Sequence, residues 1–262
     1  NASVKLKATE SKRRHVVRNI TKKMRKMNDY IKDLFDAVKK VNGKYVQFRQ
    51  INGLEKSKDI KNQPFFKNNI EQGLIDNSLL IFLEEQKKEI EKSLESIFCY
   101  ELYHCWSQII NSQSGRYKDK LVLNGEIGKI NLSAYIENYN NSKNNPLFKE
   151  LSLTSILENG YLFPDFTLHS GNNNMDNQKL IVEVKTNENI TNDNFKTDFY
   201  RLAIFQKIYG FESVVFIILN KKIKDLVSYL ENVNIELVDK NNFYFILKSI
   251  DTQYCIKLDD IK

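Results

Sequence analysis

The chain has 262 residues, a formal net charge of +7, and ordinary proportions of hydrophobic (41%) and charged (28%) residues. This composition is typical of a soluble globular protein of one large domain, or of one domain with an appendage. The absence of any apolar run of about 18 residues excludes a membrane-spanning helix, and the basic N-terminus lacks the apolar stretch of a signal peptide. Three cysteines are too few for a disulfide framework and favour a reducing cytoplasm.

The N-terminal region is far more basic than the rest of the chain. Residues 1–45 carry a net charge of +10, and the remainder carries −3. An apolar residue at each helical turn from Val16 to Val38 predicts one or two amphipathic helices between Ser3 and Val41, ended by Asn42 and Gly43. Such an arm is typical of proteins that bind nucleic acid, although a lysine-rich solvated helix is the alternative. The residues predicted to contact phosphates are Lys12, Arg13, Arg14, Arg18, Lys22, Lys23, Arg25 and Lys26.

A polar segment separates this region from the main part of the chain. Lys44–Ile51 is predicted to form a short strand, and Asn52–Gly73, which contains Pro64, reads as a linker or surface loop. We therefore predict a basic helical arm or small N-terminal region over residues 1–73 and a main domain over residues 74–262.

The longest predicted helix runs from Asp76 to Asn111, with Asp76 or Ser78 as its N-terminal cap. Two acidic residues interrupt its apolar stripe. Glu101 lies inside the stripe, and Glu95 lies near its edge. A carboxylate on a core-facing stripe needs a partner, so this helix is expected to lend one to a polar site. The stripe consists of Ile90, Leu94, Ile97, Phe98, Leu102, Cys105 and Ile109.

The later part of the chain alternates between strands and helices, which predicts an α/β fold with a mixed central β-sheet flanked by helices. Two strands are expected within Arg116–Ser133, and an Asn-rich loop over Asn138–Asn145. The later predicted elements are a helix over Asn194–Tyr209 ended by Gly210, a central strand over Ser213–Leu219, a helix over Lys222–Leu230, and strands over Phe243–Lys248 and Tyr254–Leu258.

Between these parts lie two predicted strands, Tyr161–His169 and Lys179–Thr186, joined by a polar turn over Ser170–Asn177. The strands contain the charged residues Asp165, Glu183 and Lys185. Strand residues two apart share a face, so Glu183 and Lys185 point the same way, opposite to the valines at 182 and 184. Charges on otherwise apolar strands are costly unless they are paired or bound to a metal.

These charges fit the chemistry of phosphodiester hydrolysis. Asp165 and Glu183 supply the hard oxygen ligands that hold Mg²⁺, with the carbonyl of Val184 as an added ligand. Lys185 is close enough in sequence to orient or help deprotonate a water molecule and to offset transition-state charge. The alternative is a turn acid at 165 and a surface ion pair on an edge strand, which contributes only about 0–1 kcal/mol.

The pair Pro164-Asp165, followed 18 residues later by the motif Glu183-Val184-Lys185, resembles the signature of the PD-(D/E)xK nucleases, a superfamily with the restriction-endonuclease-like fold. The first 75 residues have no part in the resemblance. It extends over residues 80–220 and includes a preceding helix with an acid, a following helix with Asp198, Arg201 and Leu202, and the strand Val214–Leu219.

The resemblance implies a nuclease that uses Mg²⁺, with Mn²⁺ as a substitute, and that cuts DNA in genome defence or DNA processing. It also implies a helix glutamate in the metal shell. Glu95 suits the family's placement, and Glu101 suits the helix geometry. Asp198 and Arg201 form a helix ion pair or face the phosphate backbone. A homodimer suits the cutting of two strands, an accessory protein is a further expected partner, and nothing distinguishes DNA from RNA.

Two other interpretations carry different chemistry. The runner-up is a binding module on a nuclease-like fold that holds nucleic acid or a protein without cutting. Zinc binding or nucleophilic catalysis is less favoured, because the cysteines and histidines lack ligand spacing and catalytic signatures. The residues concerned are Cys99, His104, Cys105 and His169. No phosphate-binding glycine motif is present.

Overall fold

Six strands form a single mixed sheet in this computed structural model, and their order in the sheet follows the chain. The strands are β1 (Val122–Gly125), β2 (Phe166–His169), β3 (Gln178–Lys185), β4 (Ser213–Leu219), β5 (Phe243–Lys248) and β6 (Gln253–Lys257). The structure describes residues 28–46, 77–112, 117, 121–125, 146–147, 164–170, 177–186 and 190–261, with only the helical backbone for residues 77–94.

The sheet combines parallel and antiparallel pairs. β3, β4 and β5 run parallel to one another, so their carboxyl ends lie at the same edge. β1 and β2 continue the sheet on one side, and β6 continues it on the other, each antiparallel to its neighbour. The parallel pairs are connected through helices, as a parallel connection requires.

Among the described residues, four helices of at least two turns flank the sheet. They are α1 (Asp29–Lys40), α2 (Asn77–Ser112), α3 (Asn192–Lys207) and α4 (Ile223–Leu230). The side chain of Asn28 caps α1 by accepting a hydrogen bond from the Tyr30 N–H, and that of Thr191 caps α3 by accepting one from the Asn194 N–H. None of the described helices is both long enough and apolar enough to cross a membrane.

The apolar residues form two cores, one on each face of the sheet. The first core contains buried residues of α1 and α2 together with Val182 and Val184 of β3. The second contains buried residues of α3 and α4 together with Ile181 of β3. Alternate residues of β3 therefore face different helical layers, which places Glu183 on the same side as Ile181.

Most of the predicted elements are confirmed. The mixed sheet with flanking helices matches the predicted fold class, and Ser213–Leu219 is a buried strand in the middle of it. The long helix begins at Asn77 and ends at Ser112, close to its predicted bounds, although Ser78 lies within it and is not its cap. The helix after β3, the short helix after β4 and the last two strands also lie where the sequence predicted them.

The predicted strand over Lys44–Ile51 is wrong at its start. Gly43–Tyr45 forms a 3-10 turn, because the Asn42 side chain accepts a hydrogen bond from the Lys44 N–H, and the rest of that strand lies outside the described residues. In the region of the predicted 116–133 hairpin, the described strand β1 pairs with β2. The polar segment 52–73 and the loop over 138–145 also lie outside the described residues.

The helix α1 packs into the first core. Ile31 and Leu34 are fully buried there, in the same cluster as Leu102 of α2 and Val182 of β3. The final part of the predicted basic arm is therefore built into the body of the protein. The domain boundary predicted near residue 73 falls outside the described residues.

Candidate active site

The charged residues of the two motif strands meet at the carboxyl end of β3. β2 and β3 are antiparallel, with Phe166 opposite Val182. Asp165 directly precedes β2 and therefore falls opposite Glu183 when the register is extended by one residue. The side chain of Lys185, at the last position of β3, contacts that of Glu183 with an Nζ–Oε1 distance of 2.9 Å.

A side-chain hydrogen bond replaces the backbone ladder at this point. β2 begins at Phe166, and the Val184 N–H donates to Asp165 Oδ2 over 2.6 Å. The N–H and C=O of a strand residue point to the same side, so the carbonyl of Val184 is directed toward Asp165 as well. This arrangement places one carboxylate and one carbonyl beside each other where the strand pairing ends.

The ammonium group of Lys185 lies among three carboxylates. Besides Glu183, its Nζ is 3.6 Å from Asp198 Oδ2 and 3.8 Å from Glu95 Oε1. The four side chains are between 7% and 26% exposed. β3 provides Glu183 and Lys185, while the helices on its two sides provide Glu95 and Asp198.

Of the two candidate helix glutamates, the structure brings Glu95 to the site. Its Oε2 accepts a hydrogen bond from the Thr186 N–H over 3.3 Å. Glu101 lies six residues further along, which on an α-helix is about 9 Å along the axis and about 240° around it. There it is adjacent to Cys105, whose thiol pKa is raised first by burial and then by the charge of Glu101.

The predicted centre of the apolar stripe on α2 was misplaced. Ile97, counted in the stripe, is 40% exposed, whereas Phe98, Leu102 and Trp106 are fully buried. The buried face is therefore turned away from Ile97 and centred on the line that contains Glu95. Glu95 lies in the middle of the buried face and not at its edge.

Asp198 is a site residue that the sequence reasoning left undecided. Asp198 is buried and contacts both Lys185 and, through Oδ1, Arg201 Nη1 at 3.4 Å. Asp198 is three residues after Phe195 and four before Leu202, two buried members of the α3 stripe. That spacing places it on the core-facing side of α3, the same signal that drew attention to the acids on α2.

Burial and mutual repulsion raise the carboxyl pKa values. Burial followed by the charge of Glu183 places the pKa of Asp165 well above its ordinary value. Burial also raises the pKa of Glu95, against the opposing effect of Lys185. For Asp198, burial raises the pKa to about 7, although Lys185 and Arg201 act in the opposite direction.

The same carboxylates hold a proton on Lys185. Burial lowers the pKa of Lys185, but the negative charges of Glu183, Asp198, Glu95 and Asp165 together outweigh it and raise the pKa. The raised pKa favours the protonated, cationic form of Lys185 in this arrangement.

The interpretation of Glu183 and Lys185 as a surface pair on an edge strand is wrong. β3 pairs with β2 on one side and with β4 on the other, and Glu183 is 13% exposed. Breaking a buried pair by removing one partner costs about 3–5 kcal/mol, in contrast to about 0–1 kcal/mol at a surface.

The donor chemistry and the charge of the cluster fit a divalent cation. Four carboxyl groups face the two cations Lys185 and Arg201, a formal excess of two negative charges when all are ionised. Carboxylate and carbonyl oxygens are the ligands that Mg²⁺ prefers. As the described side chains stand, no group of three or more His, Cys, Asp or Glu is close enough together to hold a metal ion. The Lys185 ammonium lies among the carboxylates instead.

The cysteine and histidine candidates occupy ordinary structural positions. Cys99 and Cys105 are buried and are not part of a disulfide bond. His104 is exposed on α2 and is hydrogen-bonded to Gln108, and His169 is hydrogen-bonded to Asn124 on β1. The predicted phosphate-contacting residues between 12 and 26 lie outside the described residues.

Comparisons with protein-family models, curated proteins and solved structures found no match to this chain.

Proposed function

We propose that this chain is a Mg²⁺-dependent nuclease that hydrolyses phosphodiester bonds of DNA on a restriction-endonuclease-like fold. One observation carries the proposal: the motif residues Asp165, Glu183 and Lys185 meet at the end of β3, together with the helix residue Glu95. Clusters of buried groups with strongly perturbed pKa values are typical of functional sites. The identity of the residues and their order along the chain favour a nuclease over a purely structural ion-pair network.

Asp165, Glu183, Glu95 and the carbonyl of Val184 would hold the ion. A bound Mg²⁺ neutralises charge on the phosphate and lowers the pKa of its water to supply the nucleophile. The two strand carboxylates are fixed by neighbouring strands, and Asp165 is further oriented by the Val184 N–H. The sheet therefore supports the positions of these two carboxylates.

Lys185 would act as the cation that offsets charge on the phosphoryl group. The raised pKa of its amine supports this role over that of a general base. Asp198, which also pairs with Arg201, holds the ammonium from the side of α3 at the distances given above. For an ion to enter, the ammonium must withdraw from at least part of the carboxylate cluster toward the substrate.

The decisive experiment is cleavage of plasmid DNA in Mg²⁺ by the wild-type chain and by Asp165→Asn and Lys185→Ala. Asparagine keeps an oxygen for the Val184 N–H, so the Asp165→Asn variant removes charge while preserving the local hydrogen bond. We expect both variants to lose at least about 100-fold in cleavage rate while still binding DNA, since removing electrostatic stabilisation of this kind typically costs about 10²–10³.

Asp193→Asn is a matched control, because Asp193 is an exposed aspartate in the first turn of α3. This variant should cleave at the wild-type rate. Cleavage that survives Asp165→Asn would overturn the assignment of the site.

A second candidate, a module that binds nucleic acid without cutting, is favoured by the position of the Lys185 ammonium among the carboxylates. If no divalent metal supports cleavage while DNA binding persists, this second function replaces the first.

A further inference from the structure

The end of α1 is attached to the same edge of the sheet as the candidate active site. The side chain of Asn220, just after β4, donates a hydrogen bond to the carbonyl of Val46 over 2.8 Å. The backbone N–H of Asn220 donates to the carbonyl of Lys248 at the end of β5. A Cβ atom added to Gly43 would lie 3.7 Å from the Ile250 side chain, so the turn after α1 packs against the residues that follow β5.

These attachments gather three short, lysine-rich segments: residues 39–46, 220–224 and 248–251. Together they contain seven lysines and one aspartate, Asp251. Lys39, Lys44 and Lys222 are exposed, and they come from the end of α1, the turn after it and the start of α4. Lys248 is buried, and burial lowers its pKa, with Asp251 opposing this effect and the nearby charge of Lys39 adding to it.

We propose that this lysine-rich edge, defined as residues 39–46, 220–224 and 248–251, binds the phosphate backbone of duplex DNA. Contacts between the three segments hold their exposed lysines close to one another, which creates a positively charged surface. Polyanions bind such surfaces by releasing condensed counterions. This inference rests on the proposed function for its ligand, but it concerns residues that are distinct from those at the end of β3.

The position of the lysine-rich edge suits a duplex that reaches the candidate site. Lys185, Ile218 and Leu247 form one row across β3, β4 and β5, and Lys248 lies one residue beyond that row. Neighbouring strands are about 4.8 Å apart, so the ends of β3 and β5 are separated by roughly 10 Å. Duplex DNA carries a charge for about each 1.7 Å of its axis, so a span of that size faces several phosphates.

The test is DNA binding by full-length protein in EDTA, where cleavage plays no part, at several salt concentrations. The probe is a 25-base-pair duplex (about the length of one small protein site), and the variant is Lys39→Gln, Lys44→Gln and Lys222→Gln combined. We expect weaker binding at every salt concentration. The slope of log K against log salt should fall by about 2–3, because each lost phosphate contact removes about 0.9 from that slope.

A matched variant separates a specific surface from the effect of net charge. Lys32, Lys207 and Lys240 lie at the opposite edge of the sheet. Lys207 lines a polar cavity there with Ser213, the first residue of β4. Lys32 lies one helical turn after Asn28 of the same cavity, and Lys240 directly follows its Asp239. Their combined change to Gln alters the net charge equally and should leave affinity and slope near wild type.

An equal loss in both triple variants, or no loss in the first, overturns the lysine-rich edge as a binding surface. The experiments distinguish failure of this proposal from failure of the nuclease proposal. If the first variant binds DNA as well as the wild type, the lysine-rich edge is wrong but metal-dependent cleavage can still be observed. If the chain never cleaves DNA, weaker DNA binding by the first variant would still support the lysine-rich edge.

Discussion

Asp198 shows how a single residue couples the charge state of the site to the stability of the fold. Its carboxyl group is buried beside Lys185 and Arg201, yet burial dominates and raises its pKa to about 7. An unfolded chain ionises the same group near pH 3.9. Between about pH 4 and pH 7 the folded state therefore retains a proton that the unfolded state has released, and the free energy of unfolding falls as the pH rises.

Asp198→Asn is expected to flatten this dependence. The free energy of unfolding of both proteins is compared in EDTA at pH 5 and at pH 7.5. Between these two pH values the variant should gain about 1 kcal/mol or more relative to the wild type, since one pKa unit corresponds to about 1.4 kcal/mol. Urea denaturation at the two pH values measures the shift. A difference that stays constant with pH would mean that Asp198 is ionised in the folded protein throughout.

At the scale of the element, α2 delivers one carboxylate to the site from the middle of a long helix. Glu95 is the nineteenth of the 36 residues of α2, so it is held by helical turns on both sides and not by a fraying end. The buried side chains Phe98 and Leu102 fix the rotation of the helix at this level. The orientation of Glu95 is therefore set by core packing.

Glu95→Gln and Glu101→Gln form a matched pair on this helix, since each removes one negative charge and keeps the side-chain size. We expect Glu95→Gln to lower metal affinity and cleavage by roughly 10- to 100-fold, in line with the loss of a group that holds or orients a metal. Glu101→Gln should resemble wild type. Mg²⁺-dependent cleavage and the rise in melting temperature on adding Mg²⁺ provide two readouts. Equal effects of the two substitutions would contradict the placement of Glu95.

The elements were predictable because their signals are local, whereas the complete site depends on packing. A run such as Ser213–Leu219 reads as a buried strand from its β-branched and aromatic residues alone. The choice between Glu95 and Glu101 depends on how α2 is rotated about its axis. Ile97 is apolar but exposed, so counting it as a core residue moves the predicted buried face away from its true position. The contact of Asp198 with Lys185 joins a helix to a strand end, and no periodicity within either element specifies it.

At the scale of the whole molecule, α1 is part of the hydrophobic core although a strongly basic sequence precedes it. Ile31, Leu34, Ala37 and Val38 of α1 are fully buried against the sheet and α2. The side chain of Gln253 on β6 also donates a hydrogen bond to the carbonyl of Phe35. The final part of the predicted basic arm therefore contributes to the hydrophobic core.

Two deletions test whether α1 is needed for the fold. Removing residues 1–27 should leave a cooperatively folded protein, because the first core is retained. Removing residues 1–41 takes away the fully buried Ile31 and Leu34, residue types whose truncation to alanine costs about 2–5 kcal/mol, against a total stability of about 5–15 kcal/mol. Thermal unfolding followed by circular dichroism should show loss of the cooperative transition for the longer deletion. Similar melting curves for both deletions would contradict the packing of α1.

The link between α1 and the end of β4 has a consequence for sequence variation. Asn220 has a backbone φ of 58°, a left-handed conformation that favours glycine and, among other residues, asparagine and aspartate. Glycine would lose the side-chain donor that holds Val46, and aspartate would present an acceptor to a carbonyl. Of these three residues, only asparagine meets both requirements, so homologous chains that keep this attachment are expected to favour asparagine here.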